Sequence, residues 1–232
     1  MKKKYRHIFF DFDNTLWDFE SNSKEALNEV FEKYCLDNFF VDFEQFYSFY
    51  VPKNRELWEL YPRGLITRKQ LDLERFLHPL LQVGHHDEEL AIRLSNDYLE
   101  ICPTKTNLMP HAVELLQYLE ADYNSYIITN GLSAMQEIKI KSCGIGKYIK
   151  KIFLSENIGY YKPDRRIFEY ALKSSNAKKN ESIMIGDNFN ADIVGAKNIG
   201  MHQIYLNPDK TETLPFLPTY NVQSLAEIKN IL

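Results

Sequence analysis

Short apolar runs that stop at polar residues recur along this chain. Ile8-Phe9-Phe10 leads to Asp11-Phe12-Asp13-Asn14-Thr15, and Ser125-Tyr126-Ile127-Ile128 leads to Thr129-Asn130-Gly131. Ile152-Phe153-Leu154 precedes a loop carrying Lys162-Pro163-Asp164. Ser182-Ile183-Met184-Ile185 ends at Gly186-Asp187, with Asp192 completing a GDxxxxD pattern. Runs of this length, bounded by turn residues, predict buried strands. From Pro103 onward helix-period segments separate them. Pro110 suits a first helical position ahead of Ala112, Leu115, Leu116 and Leu119. Gln203-Ile204-Tyr205-Leu206 adds a fifth strand, then a loop rich in Pro, Thr and Asp, then a short helix around Ser224 to Leu232. This alternation predicts an α/β fold, a Rossmann-like parallel sheet covered by helices on both faces. Ligands of such sheets bind beyond the carboxyl ends of the strands, where the strand order switches.

Between the first and second strands the pattern changes. Leu27, Val30, Phe31 and Tyr34 follow helical spacing, as do Phe43, Phe46, Tyr47 and Tyr50 behind a candidate N-cap at Asp42. Pro52 is placed to kink or end that helix, with Leu57, Leu60 and Tyr61 continuing its apolar face. Thr67 and Gln70 form a capping-box pattern before Leu73, Phe76, Leu77 and Leu80. Leu90, Leu94, Tyr98 and Ile101 make a last stripe. Helices with apolar stripes and short loops predict a small bundle. The expected organisation is a core of residues 1–16 and 104–232, interrupted by a helical cap of residues 17–103 standing over the two aspartates.

Composition narrows the class without choosing it. The chain has 232 residues, 32 acidic and 28 basic, and a formal net charge of -4, a balance that speaks against a nucleic-acid surface. No segment approaches the length of a membrane span. The apolar stretch behind Met1-Lys2-Lys3-Lys4 meets Asp11 too soon for a signal peptide. Cys35, Cys102 and Cys143 show no CxxC spacing and read as reduced thiols. The expectation is a cytoplasmic protein.

The chemistry concentrates at the strand ends. Alternation along an extended chain sends Asp11 and Asp13 to one side, and two anions held so close call for a cation or a retained proton. Magnesium prefers hard oxygen ligands, so Asp11, Asp187 and a backbone carbonyl near Asp13 form a candidate set beside a phosphate. Asp192 would orient Lys162 or a metal-bound water. Lys162 would offset the repulsion between an anionic nucleophile and an anionic phosphate, and Thr129 can donate to phosphoryl oxygens. Asp11 can then attack phosphorus, while Asp13 protonates the departing oxygen and later deprotonates water. Each residue has a plainer role when taken alone: Thr129 ending a strand, Lys162 solvated on a loop, Asp187 and Asp192 capping a helix. Their joint occurrence in this order favours a site.

In these four motifs, Asp11 to Thr15, Ile128-Thr129-Asn130, Lys162-Pro163-Asp164 and Gly186-Asp187 through Asp192, the chain resembles the haloacid-dehalogenase superfamily of phosphotransferases over almost its whole length. That resemblance implies a Rossmann-like core with a cap inserted after the first motif. It implies Asp11 as nucleophile and Asp13 as general acid/base, with Thr129 and Lys162 contacting phosphate. Phe12 and Asn130 join the phosphate-binding set, Asp187 is a magnesium ligand, and Asp192 is the last motif's second acid. The dehalogenases lack an acid at the position of Asp13, so its presence speaks for phosphoryl transfer. Arg165 departs from the Pro that many relatives carry there.

Substrate choice rests on the cap. Asn54 to Tyr61, with Gly64-Leu65-Ile66-Thr67 following, looks like the cap of bacterial pyrimidine 5'-nucleotidases, which act on nucleoside monophosphates, non-standard pyrimidines included. Trp58 or Tyr61 could stack on a base if either faces the cleft; packing between cap helices is the other role for both. The remaining readings are a phosphatase of phosphoglycolate or a sugar phosphate, a phosphosugar mutase, and a signalling module that stores phosphate on Asp11. The expected partner is a small phosphomonoester, with no nucleic acid polymer and no membrane, and the chain is expected as a monomer or homodimer.

Overall fold

The computed structural model of this chain describes residues 4–208 and 213–232. The chain divides into two compact units, Met1–Phe19 with Thr106–Leu232, and Glu20–Lys105.

The first unit is built on a parallel sheet. Strand β1 (His7–Phe10) opens the chain, and the helices α1 (Phe19–Lys33), α2 (Phe43–Leu60), α3 (Arg68–Gln82) and α4 (Glu88–Ile101) follow before the chain returns. It then runs α5 (Ala112–Glu120), β2 (Asn124–Thr129), α6 (Ser133–Ser142), β3 (Ile149–Leu154), α7 (Ser155–Ile158), α8 (Arg165–Ser174) and β4 (Ser182–Gly186). A π-helical segment (Phe189–Val194), α9 (Gly195–Asn198), β5 (His202–Leu206), β6 (Tyr220–Val222) and a 3-10 helix (Leu225–Asn230) complete it. The strand order is β3-β2-β1-β4-β5-β6, and every pairing is parallel. The chain steps outward from β1 through β2 to β3, then crosses back to lay β4 on the other side of β1. That reversal opens a crevice at the carboxyl end of β1.

Period-two alternation explains why this sheet is buried on both faces. Phe9, Tyr126, Ile128, Phe153 and Met184 pack with Ile167, Phe168 and Ala171 of α8 and with Ala196 of α9. Ile8, Phe10, Ile127, Ile183 and Ile185 alternate with them and are fully buried. Phe9 sits at the centre, its ring stacked 4.8 Å from that of Tyr126 and tilted against that of Phe153 at 6.4 Å.

The second unit is helical. Asp42 caps α2 and Asp87 caps α4, each accepting a backbone N–H three residues on, and Thr67 with Gln70 closes a capping box on α3. Its interior is aromatic: the ring of Phe76 lies 5.1 Å from that of Tyr50 and 5.8 Å from that of Tyr98. One cation is buried there. Arg75 donates to Asp72 Oδ1 (2.9 Å) and Ser95 Oγ (3.2 Å), and its guanidinium lies 5.1 Å from the Tyr98 ring centroid.

Three local expectations change. Helix α2 runs through Pro52 without ending, because its buried face of Phe46, Tyr50, Asn54 and Leu57 continues across the exposed proline. Helix α5 begins at Ala112 behind a left-handed His111, so Pro110 lies in the preceding turn. Tyr220-Asn221-Val222 forms an edge strand within the segment expected to be loop, too short and too polar to show as an apolar run, and the terminal helix is a 3-10 turn capped by Ser224 and Glu227. Among the described residues, no helix is long and apolar enough to cross a membrane.

Phe9→Ala should destabilise the chain by about 3–5 kcal/mol, since a fully buried central ring leaves a cavity. Val41→Ser, on a residue 83% exposed, should stay within about 0.5 kcal/mol of the parent. Urea unfolding midpoints measured side by side check both.

Candidate active site

Every polar strand end arrives at the same edge of the sheet. Asp11 follows β1 directly, and its N–H donates to the Ile185 carbonyl at 2.8 Å, which carries the β1–β4 pairing one residue further. Thr129 ends β2, and Asp187 follows β4. Asp192 sits on the π-helical turn after β4, a distortion often found where a helix carries functional groups. Lys162 comes from the loop between α7 and α8.

Lys162 is the hub. Its ammonium is 3% exposed and lies 2.6 Å from Asp11 Oδ1 and 2.7 Å from Asp192 Oδ1. Burial alone would lower its pKa, but the carboxylates of Asp11 and Asp192 outweigh burial and raise it above the ordinary lysine value. Carboxylate oxygens of Asp11, Asp187 and Asp192 all lie within 4.8 Å of one another. Burial, then repulsion from Asp11 and Asp192, pushes Asp187 well above the usual carboxylate range, against the pull of the Thr15 hydroxyl. Asp192 is pushed up to about 7, chiefly by burial, with Asp11 adding to the shift and Lys162 opposing it. Three acids around one lysine are short of positive charge. A hard divalent cation fits this donor set, which is all oxygen and anionic.

The side chains that hold this arrangement come from distant segments. Thr15 Oγ1 donates to Asp187 Oδ1 at 2.9 Å and accepts the Asp187 N–H at 3.2 Å. Asn130 grips the Lys162 backbone from both sides, with Nδ2 donating to its carbonyl (2.9 Å) and Oδ1 accepting its N–H (2.8 Å). Ser155 Oγ lies 2.7 Å from both the Thr129 carbonyl and Asn130 Oδ1. Asp192 folds back against the strand end so closely that a Cβ on Gly186 would lie 2.2 Å from its Oδ2. Only glycine leaves room there.

Asp13 goes elsewhere. The pair expected to crowd each other, Asp11 and Asp13, meets different partners, and β1 ends at Phe10, before either acid. The Asp13 carboxylate is outside the three-acid cluster and meets its own cation. Lys139 Nζ donates to Oδ1 at 2.6 Å, and Gln136 Nε2 donates to Oδ2 at 2.7 Å. The acids that crowd Asp11 are therefore Asp187 and Asp192, which lie far from it in sequence.

Other candidates fall into place with different surroundings. The Phe12 side chain is buried near Trp17 (6.3 Å between rings), and its carbonyl accepts the N–H groups of Thr15, Leu16 and Trp17. Any phosphate contact at this position is left to its backbone N–H. Asn130 has its side-chain oxygen fully engaged and serves the Lys162 loop. Trp58 lies on α2 in the helical unit, partly exposed, with its ring edge-on to Tyr61 at 5.8 Å. Gln136, Lys139 and Ser155 carry no motif in the sequence, and Thr15 stands there only as the hydroxyl that ends the first motif. The available signal was on α6, whose buried stripe of Met135, Gln136, Lys139 and Ile140 spends two positions on polar groups.

An aspartate whose folded pKa is raised binds an extra proton in the native state. Its contribution is full below the ordinary value of 3.8 and is lost as pH rises toward about 7. Thermal unfolding of the chelator-treated protein should therefore show stability falling across that window. Asp192→Asn should flatten the fall, and magnesium should raise the melting temperature more at pH 7.5 than at pH 5.

A family model described as haloacid dehalogenase-like hydrolase matches residues 5–200. Pyrimidine 5'-nucleotidase YjjG of Escherichia coli (strain K12) is 33% identical over 231 residues, covering 99% of this chain and 98% of that protein. Pyrimidine 5'-nucleotidase PynA of Streptococcus pneumoniae is 30% identical, covering 98% and 97%. Among solved structures, the HAD-hydrolase YfnB from Bacillus subtilis, bound to magnesium, matches with a TM-score of 0.88 at 29% identity and 99% coverage of both chains. The match to the family spans the β1 end, Thr129, Lys162 and the Asp187–Asp192 turn together, and the chain belongs to the haloacid dehalogenase-like hydrolases.

Proposed function

We propose that this chain is a magnesium-dependent phosphomonoester hydrolase working through an aspartyl-phosphate on Asp11, with nucleoside 5'-monophosphates, pyrimidines foremost, as its substrates. The observation that carries the chemistry is the buried Lys162 bridging Asp11 and Asp192 beside a third acid, with a separately held Asp13 two residues beyond Asp11. The substrate class is supported by the two nucleotidases that align over nearly the whole chain.

Asp11, Asp187 and the backbone carbonyl of Asp13 would hold the magnesium ion, with Asp192 behind them on Lys162, and the ion supplies charge neutralisation between nucleophile and phosphate. The chain's own residues do the rest. A carboxylate oxygen of Asp11 bonds to phosphorus as the ester P–O bond breaks, and Asp13 gives its proton to the departing oxygen. Asp13 then takes a proton from water as the water oxygen bonds to phosphorus. The bond from phosphorus to Asp11 breaks, phosphate leaves, and the Asp11 carboxylate is restored. Thr129 and neighbouring backbone N–H groups donate to the phosphoryl oxygens as charge moves onto them, and Lys162 balances the charge on Asp11 throughout.

Phosphate release with magnesium should be fastest on pyrimidine monophosphates in a panel that includes purine monophosphates, sugar phosphates, triose phosphates and phosphoglycolate. Asp11→Asn should fall to background, and chelator should abolish turnover of the parent. Asp13→Asn should lose about 10²–10⁴-fold in turnover and accumulate acid-stable label from substrate phosphate. Preferred turnover of a sugar or triose phosphate would keep the mechanism and replace the substrate. Labelling without turnover in the parent would point to phosphoryl storage.

A further inference from the structure

Beside Asp11 and its lysine the core holds a second polar cluster, built around Gln136 on α6. Gln136 is fully buried, and its Nε2 lies 2.7 Å from Asp13 Oδ2 and 2.7 Å from Thr129 Oγ1. An amide NH2 has two protons, so both contacts are satisfied at once. The orientation follows from the partners, because the flipped amide would set its oxygen against the Asp13 carboxylate. Among the described residues, Gln136 Oε1 is buried with no hydrogen-bond partner. Leaving a buried acceptor unpaired is unfavourable, and a methionine of the same shape would avoid it. A glutamine kept here at that cost has work for its amide.

Thr129 shows what that work is. Its Oγ1 accepts from Gln136 Nε2 and also from the Gly131 N–H at 3.0 Å. Both acceptor positions of the hydroxyl are then filled, and its one proton must point away from them. No acceptor among the described residues takes that proton. On Asp13, Gln136 holds one carboxylate oxygen and Lys139 the other, and the Lys139 ammonium is itself fixed 4.0 Å from the centre of the Trp17 ring. Gly131 makes the arrangement possible. A Cβ there would lie 2.0 Å from Gln136 Nε2 and 3.1 Å from Asp13 Oδ2. The Gly131 backbone is outside the left-handed region, so alanine is opposed chiefly by the glutamine amide and, less closely, by Asp13 Oδ2.

We propose that Gln136 is a positioning residue that ties Asp13 to Thr129, fixing the acid/base carboxylate and turning the threonine hydroxyl into an obligate donor toward a phosphoryl oxygen. This rests on the roles given to Asp13 and Thr129 above. Its consequence is that two groups on different strand ends move as one unit through both steps.

The test uses Gln136→Met, Gly131→Ala and the double variant with magnesium and p-nitrophenyl phosphate, a substrate that makes no demand on base recognition. Gln136→Met should lower kcat by about 10–100-fold, the range for losing a group that orients another, with KM little changed and the melting temperature unchanged or higher. Gly131→Ala should reproduce that loss, and the double variant should be no worse than either single one, because both act on the same amide. Calorimetric binding of inorganic phosphate gives a reading independent of turnover, and both single variants should weaken it by a similar factor. A Gln136→Met variant with parental kcat and parental phosphate binding overturns the proposal, as does a loss of activity that tracks a fall in melting temperature. If the parent hydrolyses neither p-nitrophenyl phosphate nor any phosphomonoester of the panel yet binds phosphate in a way that depends on Gln136, the hydrolase reading fails and the positioning of Thr129 stands.

Discussion

The site depends on one electrostatic problem, the burial of three carboxylates around a single ammonium. Lys162 reaches Asp11 and Asp192 at hydrogen-bond distance, and Asp187 is left with a threonine hydroxyl. In a medium that solvates ions poorly, such an excess is tolerated only if some acids keep their protons or a cation arrives. The raised pKa values of Asp187 and Asp192 express the first outcome. The oxygen-only donor set is suited to the second.

Holding charges in that way requires a stiff frame, and the parallel sheet provides it. Three of the functional segments emerge from β1, β2 and β4, whose relative heights are fixed by ladder pairings such as Phe9 with Tyr126 and with Met184. Lys162 comes from a loop, which would be the weak point. Asn130 and Ser155 remove that weakness by hydrogen-bonding the lysine's backbone to the end of β2. Positions set in this way are reproducible because each is tied at two ends.

Asp13 illustrates how a single motif can serve two electrostatic environments. It is two residues from Asp11, yet its charge is balanced by Lys139 and its geometry by Gln136. The two acids are thereby neutralised by different cations, Asp11 by Lys162 and Asp13 by Lys139. The division comes from α6, a helix that begins more than a hundred residues later and supplies Lys139 and Gln136.

Much of this was legible in the residues themselves. Apolar runs ending in Asp, Thr and Gly-Asp marked the strands and the sheet edge where chemistry gathers, because strand burial and strand ends are local consequences of sequence. The helical insertion was equally plain from its stripes and from the caps at Asp42 and Thr67. What the sequence could not express was which charges neutralise which. Asp11 and Asp13 look like a pair from their spacing, whereas their partners are Lys162 with Asp192, and Lys139 with Gln136. The side chain of Asn130 is engaged by the Lys162 loop and Ser155, a partnership its place in the sequence does not show. A buried polar network is decided by distances between segments far apart in the chain, and only the packed sheet brings those segments within the 2.6–2.9 Å over which such bonds form.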